Sequence, residues 1–457
     1  MRSRFSWGLL SVVCCWVVLR APLAFAQTFT EPVWNSQVWF ETHGERSRPP
    51  LVLIHGLSPQ AGRDWEVLIP RLRERFFLVV LDLPGFGRSS GGNRLYSPGN
   101  YAAVVDALLR HLSLPRATVA GHSMGGTVAL RLAADYPDRV ARLVLVNAAG
   151  VLHGSVFSRF LARFGVGVLA QGDAGIGEVL GAFADQLLTQ VERGPIDAAA
   201  AATRVLAQPE LRALLLGGDP LKIAALALSV EDFSRDLAAV RAPTLIVWSE
   251  GDPVTPLRTG EALAARLRDA RLEVIPGAQH MLMQAAPERL AELIVRAEAS
   301  YPATRIEARD AREATAPADY RCARQAHAQL SGRYRHIVVE GCGTVVLDGV
   351  EAESLSVRDA NLTMRNSTLY ALGTALTAER ARLEITASRV RGTIGMALNG
   401  VELDVAGTVI EGSERAIVTQ GASRGVFSIS EVRTGNLSRV LHGIEVLGPG
   451  DGRSAPD

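Results

Sequence analysis

The hexapeptide GHSMGG at positions 121–126 constrains the fold of this chain more than any other stretch. A short apolar run at 117–120 precedes it and predicts a buried strand. A helical pattern at 127–136 follows and is closed by Pro137. A strand, a sharp turn and a helix form the context in which a G-x-S-x-G motif presents a serine as a nucleophile, which makes Ser123 the first candidate.

The geometry expected of this turn explains the residues on either side of Ser123. A serine on such a turn has an unfavourable backbone angle, and a side chain at Gly121 or Gly125 would crowd the turn. The helix then begins at Met124, whose backbone N–H is predicted to face negative charge that develops on a substrate. The motif by itself also fits a chance match in a glycine-rich chain, and a catalytic serine requires partner residues elsewhere in the sequence.

Apolar runs alternating with helical patterns predict a mostly parallel sheet with helices on both faces, the α/β class. The predicted strands are 38–43, 51–54, 77–81, 117–120, 143–146, 244–248 and 272–275. The predicted helices between and after them are 65–72, 101–112, 127–136, 261–269 and 287–299.

The segment at about 151–240 interrupts this alternation and predicts a helical lid over the strand ends. It is rich in Ala, Leu and Gly, shows helical patterns at 176–188 and 195–206, and has no strand pattern. Four phenylalanines, at 157, 160, 164 and 183, are candidates for an apolar ceiling or for the lid's own core. An apolar ceiling predicts an apolar or acyl-bearing substrate.

Two further residues complete a candidate triad with Ser123. Asp252 and His280 each follow the end of a predicted strand, and such ends share one edge of a parallel sheet. His280 would take the serine proton, and Asp252 would hold the imidazole tautomer and stabilise its charged form. Glu250 competes with Asp252 for the acid role, and His280 has an alternative role at the start of a helix.

The loop after strand 51–54 predicts a second oxyanion donor. Gly56 lets the backbone approach closely, and the Leu57 N–H would then point into the site beside that of Met124. The alternative is that this loop is only a glycine turn that ends the strand, with no role in binding an oxyanion. His55 and His122 flank these positions, and we predict that both are tied to neighbouring backbone rather than acting as the base.

Together these motifs resemble the α/β-hydrolase fold family over about residues 36–299, in particular its capped esterase, lipase and C–C hydrolase branch. The resemblance rests on His55-Gly56, the DLPGFG run at 82–87, the hexapeptide, Gly251-Asp252 with Pro256, and Gly277 with His280. It implies no metal and no organic cofactor. Dehalogenases and epoxide hydrolases of the family would carry Asp in place of Ser123, so the serine disfavours them.

The region after a linker at 301–320 has a different pattern. Leu362, Leu383 and Leu403 open short apolar alternations 21 and 20 residues apart. Two further series recur with them: Leu369, Val390 and Val409, and the glycines at 392 and 412. Such a repeat predicts a mainly-β domain at 321–450, a right-handed parallel β-helix-like solenoid, with a β-sandwich as the alternative.

The N-terminus predicts an exported protein, and export in turn predicts how its cysteines are used. Arg2 and Arg4, the apolar run 5–19 and the small residues before Gln27 indicate a signal peptide at 1–26, with a retained membrane anchor as the alternative. Outside that segment only Cys322 and Cys342 remain, which predicts a disulfide rather than a metal site. The location expected is the periplasm or the extracellular space.

The sequence as a whole predicts an exported serine hydrolase acting on small-molecule or acyl esters, with its hydrolase domain at 27–300. C–C bond hydrolysis, amidase activity and acyl transfer use the same residues and stay open. A net charge of +1 gives no bulk attraction to nucleic acid. Glycan or cell-wall contact is one expectation for the solenoid, and a structural or oligomerising role is another. A non-catalytic binding protein is the alternative from a different class.

Overall fold

Residues 25–299 are organised around one eight-stranded sheet. The computed structural model describes residues 25–154, 198–299 and 318–448. The strands are β1 (Phe25–Thr30), β2 (Gln37–His43), β3 (Pro50–Ile54), β4 (Phe77–Leu81), β5 (Ala117–His122), β6 (Val140–Val146), β7 (Thr244–Ser249) and β8 (Ala270–Ile275). Their order in the sheet is β1-β2-β4-β3-β5-β6-β7-β8, with β1, β2 and β4 joined antiparallel and all other neighbours parallel.

Helices cover both faces of this sheet, which is why its central strands read as continuous apolar runs. Every residue of β4, β5 and β7 is buried. Along β3 the side chains alternate between two cores: Val52 packs on one face, and Leu51 and Leu53 pack on the other. The helices in the described ranges are α1 (Ile69–Leu72), α2 (Pro98–His111), α3 (Met124–Asp135), α4 (Ala198–Ala207), α5 (Pro209–Leu216), α6 (Pro220–Ser229), α7 (Leu257–Arg266), α8 (Leu282–Ala285) and α9 (Pro287–Ala299).

One predicted helix is wrong, and several have shifted ends. The pattern at 65–72 forms a short 3₁₀ helix, Ala61–Trp65, followed by the single turn α1. Pro70 lies at the start of α1, where its missing N–H costs no helical hydrogen bond. The helix predicted at 261–269 runs instead from Leu257 to Arg266, because Pro256 occupies its N-cap.

The described part of the predicted lid is helical. Helices α4, α5 and α6 follow one another between residues 198 and 229, and a 3₁₀ turn, Leu237–Ala239, leads back to β7. The pattern at 176–188 and the four phenylalanines lie outside the described residues, as does most of the predicted signal segment. Strand β1 begins at Phe25, two residues before the predicted cleavage point, and Ala26 pairs with Glu41.

The C-terminal region is a parallel solenoid, as the repeat predicts, and not a β-sandwich. The register pairs Leu362 with Leu383 and Leu383 with Leu403, so each repeat is one coil. The strands are β9 (Ala318–Ala323), β10 (His327–Glu340), β11 (Thr344–Arg358), β12 (Asn361–Arg365), β13 (Thr368–Tyr370), β14 (Thr374–Glu379), β15 (Arg382–Thr386), β16 (Arg389–Asn399), β17 (Glu402–Ala406), β18 (Val409–Thr419), β19 (Ser423–Thr434) and β20 (Leu437–Leu447).

Three details of the solenoid show where its prediction from sequence succeeded and where it failed. The glycines Gly392 and Gly412 pair as expected, but Val390 lies opposite Ile410 and not opposite Val409. The last strand, β20, pairs antiparallel with β19, which the sequence repeat did not reveal. Cys322 and Cys342 form the predicted disulfide at the N-terminal coil, with their Cα atoms 6.5 Å apart.

The solenoid packs directly on the domain of the eight-stranded sheet. Ala406, Val426 and Ile429 of the solenoid belong to the same buried cluster as one face of the eight-stranded sheet. At the turn after β17, Gly407 lies so close to α7 that an added Cβ would stand 2.5 Å from the Ala262 Cα atom. No helix within the described ranges is long and apolar enough to cross a bilayer.

Candidate active site

Ser123 stands on a strained turn between β5 and α3, which we call the elbow. Its backbone angles are φ +52° and ψ −120°, a conformation that a non-glycine residue rarely adopts. The Ser123 N–H donates to the Val146 carbonyl at 3.0 Å, which ties the turn to the neighbouring strand. A Cβ at Gly121 would collide with the Gly125 carbonyl, and one at Gly125 would collide with the Ile54 carbonyl. The two flanking glycines are therefore a steric requirement of the turn.

Asp252 lies in the loop after β7 and is held by four hydrogen bonds. One carboxylate oxygen accepts from the backbone N–H groups of Val254 at 2.7 Å and Thr255 at 2.8 Å. The other accepts from the Thr255 hydroxyl at 2.7 Å and from His280 Nδ1 at 2.8 Å. Burial favours a raised pKa, but the charge of His280 and the hydrogen bonds outweigh it and lower the pKa of Asp252. The carboxylate stays ionised and fixes the imidazole tautomer with its proton on Nδ1.

His280 follows β8, and two side chains hold its backbone. The sequence did not predict that these two side chains act together. The His280 carbonyl accepts from Asn147 Nδ2 at 2.8 Å and from His122 Nε2 at 2.9 Å. The Ser249 hydroxyl donates to the preceding carbonyl, that of Gln279, at 2.7 Å. Asn147 directly follows β6 at the same sheet edge, so its position after a strand was the signal that could have found it.

A single cavity brings Ser123 and His280 together. Glu250, the competing acid, is exposed, and Asp252 is the carboxylate that contacts His280. Most of the cavity wall is apolar. Apart from Ser123 and the two histidines, its polar side chains are Ser58, Asp64 and Ser229. The lining residues come from the loop after β3, the elbow, the two stems of the lid (149–154 and 225–232) and the loops after β7 and β8. They are Gly56, Leu57, Ser58, Asp64, His122, Ser123, Ala149, Gly150, Leu152, Gly154, Ala225, Leu228, Ser229, Val254, His280 and Met281.

The two candidate oxyanion donors lie on either side of the serine. Gly56 is so close to the elbow that an added Cβ would stand 3.0 Å from Ser123 Cβ. The next residue, Leu57, lines the cavity, and Met124 is the first residue of α3. Among the described residues, neither the Leu57 nor the Met124 amide has a hydrogen-bond acceptor. Both N–H groups are therefore available to an oxygen of a bound molecule.

His55 and His122 are buried and bonded to the backbone. The Leu83 N–H donates to His55 Nε2 at 2.9 Å, and His55 Nδ1 donates to the Gly56 carbonyl at 2.7 Å. Burial lowers the pKa of His55 to about 4. Burial, assisted by the nearby charge of His280, lowers the pKa of His122 to about 3. Both rings are neutral at pH 7 and support the loops around the serine.

Comparison with known proteins agrees with this geometry. The profile of the alpha/beta hydrolase fold matches residues 49–173, and a profile described as TAP-like protein matches residues 228–296. The chain is 33% identical over 256 residues to a pimeloyl-(acyl-carrier protein) methyl ester esterase from Aromatoleum aromaticum, covering 54% of this chain and 97% of that protein. The chain belongs to the α/β-hydrolase fold family.

Two further similarities cover about the same share of this chain. The chain is 32% identical over 260 residues to the dihydrolipoyllysine-residue acetyltransferase component of an acetoin cleaving system from Pseudomonas putida, covering 55% of this chain but only 64% of that protein. A solved α/β-hydrolase enzyme from a Medee basin deep-sea metagenome library aligns with a TM-score of 0.47 and 21% identity, over 60% of this chain and 98% of that one. Neither family profile extends into the solenoid.

Proposed function

We propose that this hydrolase cleaves carboxylic esters through an acyl-enzyme, with Ser123 as nucleophile, His280 as base and Asp252 as the acid that orients the base. The observation that carries the proposal is the bond from His280 Nδ1 to Asp252, with Ser123 in the same cavity. With its Nδ1 proton committed to Asp252, His280 presents Nε2 as the acceptor for the serine proton.

The reaction follows from these positions. Ser123 Oγ attacks the ester carbonyl while His280 Nε2 takes its proton, and the carbonyl oxygen becomes an oxyanion. The Leu57 and Met124 amides donate to that oxyanion, each contributing on the order of 3 kcal/mol in the transition state. The imidazolium then protonates the leaving alkoxide. Water, deprotonated by His280, releases the acid and restores the serine.

Ester hydrolysis is preferred over C–C cleavage, amide hydrolysis and acyl transfer for two reasons. The cavity wall is mostly apolar, which suits an acyl chain. A relative matched over nearly its whole length is named as a methyl ester esterase. We propose esters of small or acyl-bearing molecules as the substrate class.

The test is labelling and turnover by the full-length protein. Wild type should react with a fluorophosphonate at Ser123 and hydrolyse p-nitrophenyl esters, whereas Ser123→Ala should do neither. Asp252→Asn should lower kcat by about 10³-fold or more, because it disturbs the imidazole tautomer. Glu250→Gln, the matched control in the same loop, should retain activity. Equal ester hydrolysis by wild type and Ser123→Ala would overturn the proposal.

We also propose that the protein is exported, with residues 1–26 as its signal. Support comes from the Cys322–Cys342 disulfide, because such bonds persist in oxidising compartments. Mass spectrometry of protein recovered outside the cytoplasm should find Gln27 at the N-terminus. Recovery of the full-length chain in the membrane fraction would favour a retained anchor instead.

A further inference from the structure

The solenoid contacts the hydrolase domain at the wall of the candidate cavity. The backbone N–H of His153 donates to the Ser428 hydroxyl of β19 at 2.9 Å. Both neighbours of His153, Leu152 and Gly154, line the cavity. A solenoid side chain therefore contacts the segment that forms one side of the substrate space. Ser428 itself is buried, so the bond is shielded from water.

The last solenoid strand lies beside both stems of the lid. The ring of His442 packs edge-on against that of His153, with centroids 5.5 Å apart. His442 Nδ1 also lies 3.9 Å from the Asp232 carboxylate, three residues after the cavity-lining Ser229. The two stems meet each other, because an added Cβ at Gly154 would stand 2.6 Å from the Ser229 carbonyl. The solenoid thus touches the entry and the exit of the lid at one place.

A second contact reaches the loop that carries Asp252. Arg258 lies in the first turn of α7, three residues after Thr255, and its two terminal nitrogens bond to the Asp404 carboxylate at 3.1 and 3.0 Å. Its Nε donates to the Thr386 hydroxyl at 3.1 Å. These partners come from neighbouring coils, and the planar guanidinium binds them in a fixed orientation. The helix that follows the acid loop is therefore anchored to the solenoid.

We infer that the solenoid completes the substrate site of this hydrolase by holding the 152–154 wall through Ser428 and the acid loop through Arg258. Solenoid residues then determine which acyl chains the cavity accepts and how well Asp252 is aligned. This inference rests on the proposed function, because its kinetic consequences require ester turnover. The inference concerns residues other than those of the proposed function. Its solenoid residues lie outside both matched family profiles.

The first test compares Ser428→Ala with Ser430→Ala. Ser430 is a matched control, because among the described residues its hydroxyl bonds only to solenoid partners, Thr408 and Ser428. Ser428→Ala should raise KM for the longest accepted p-nitrophenyl ester by about fivefold, a loss equivalent to one buried hydrogen bond. The KM for p-nitrophenyl acetate should change much less, so the chain-length profile shifts. Ser430→Ala should keep the wild-type profile.

The second test compares Arg258→Met with Arg266→Met. Both arginines lie on α7 and pair with a solenoid carboxylate, but Arg266 bonds to Glu431 at 2.8 Å from the far end of the helix. Arg258→Met should lower kcat about tenfold for every ester with little change in KM, because a misplaced acid loop impairs chemistry rather than binding. Arg266→Met should keep kcat. Identical kinetics within each pair of variants would overturn the inference.

Hydrogen exchange separates this inference from the proposed function. Peptides covering 149–154 should exchange faster in Ser428→Ala than in Ser430→Ala, whatever the enzyme does with esters. Wild type that fails to hydrolyse any ester defeats the proposed function alone. Unchanged exchange at 149–154 in Ser428→Ala defeats the inference alone, even if wild type is a good esterase.

Discussion

At the residue scale, the elbow shows how closely backbone atoms crowd the serine. Gly125 faces the carbonyl oxygens of both Ile54 and His55, the residues that lead to the Leu57 amide. The glycine is what lets the two candidate oxyanion donors approach one another. Any side chain there would push the β3 loop away from α3.

Gly125→Ala should therefore cost both stability and activity. The added methyl meets backbone atoms that have no room to move, which costs about 2 kcal/mol or more in the free energy of unfolding. Ester turnover should fall at least a hundredfold. Gly99→Ala is the control, since its added Cβ meets nothing within 4 Å. Urea unfolding and p-nitrophenyl ester kinetics measure both effects, and a fully active Gly125→Ala would contradict the steric argument.

The buried His55 predicts a pH dependence of stability. Its pKa is about 4 in the folded chain and 6.5 in the unfolded chain, so only the unfolded state gains a proton between these values. Stability is fully present above pH 6.5 and is lost as the pH falls, by about 1.4 kcal/mol per pH unit from this group. His55→Gln, which keeps an acceptor for Leu83, should remove the contribution of this group to the slope and leave that of His122, whose pKa burial also lowers.

The slope is measured by urea unfolding at several pH values between 4 and 7. Val79→Ala is a useful comparison, because it creates a cavity in the same sheet without removing a titrating group. It should lower stability equally at every pH. A slope in His55→Gln as steep as that of wild type would show that this histidine is not buried in its neutral form.

Among site residues, the sequence predicted those whose chemistry demands a particular type at a strand end. Ser123, Asp252 and His280 each follow a strand of a parallel sheet, so their convergence at one edge could be inferred. Asn147 and Ser249 were missed as supports because they act on backbone carbonyls of the β8 loop. Such contacts depend on how the loops fold back, and the spacing of residues along the sequence does not predict them.

At the element scale, prediction worked where burial forces a pattern. Strands buried on both faces read as unbroken apolar runs, and β4 was located to the residue. The pattern at 65–72 failed because apolar residues spaced like a helix also fit two separate turns. The Val409 position failed by one residue because β18 begins with two buried positions in a row.

The disulfide at the first coil is an element-scale stabiliser. Cys322 and Cys342 are 20 residues apart, about one coil, and their bond joins β9 to the turn after β10. Replacing both cysteines with alanine should lower solenoid stability by about 3 kcal/mol, since a loop of this length loses its entropic restraint. Urea unfolding with and without a reductant checks this. A double variant as stable as the oxidised wild type would contradict it.

At the scale of the whole molecule, the hydrolase domain and the solenoid share a core. The sequence divided the chain into regions of different pattern, but it gave no sign of how they face each other. Their contacts involve residues such as Arg258 and Asp404, which read locally as ordinary surface charges. Pairing across 146 residues of sequence is visible only in three dimensions.

Gly407→Ala should uncouple the two units. Gly407 has φ +58°, and its added methyl would press on α7 at Ala262. Wild type should unfold in one calorimetric transition because the interface is buried, whereas the variant should show two. Gly400→Ala is the matched control: it has φ +63° in another solenoid turn, but its added Cβ approaches only Arg380, at 4.0 Å. A single transition in Gly407→Ala would contradict the expected coupling.

The reversal of direction at β20 has a consequence for how copies of the molecule meet. A stack of parallel coils presents, at its final rung, a row of backbone groups on which another chain could continue the stack. Here β20 turns back along β19 and occupies much of that row, from Ser423 paired with Leu447 to Thr434 paired with Leu437. A further parallel coil cannot pair with the part of β19 that β20 covers, so the change of strand direction opposes head-to-tail stacking of copies at this end.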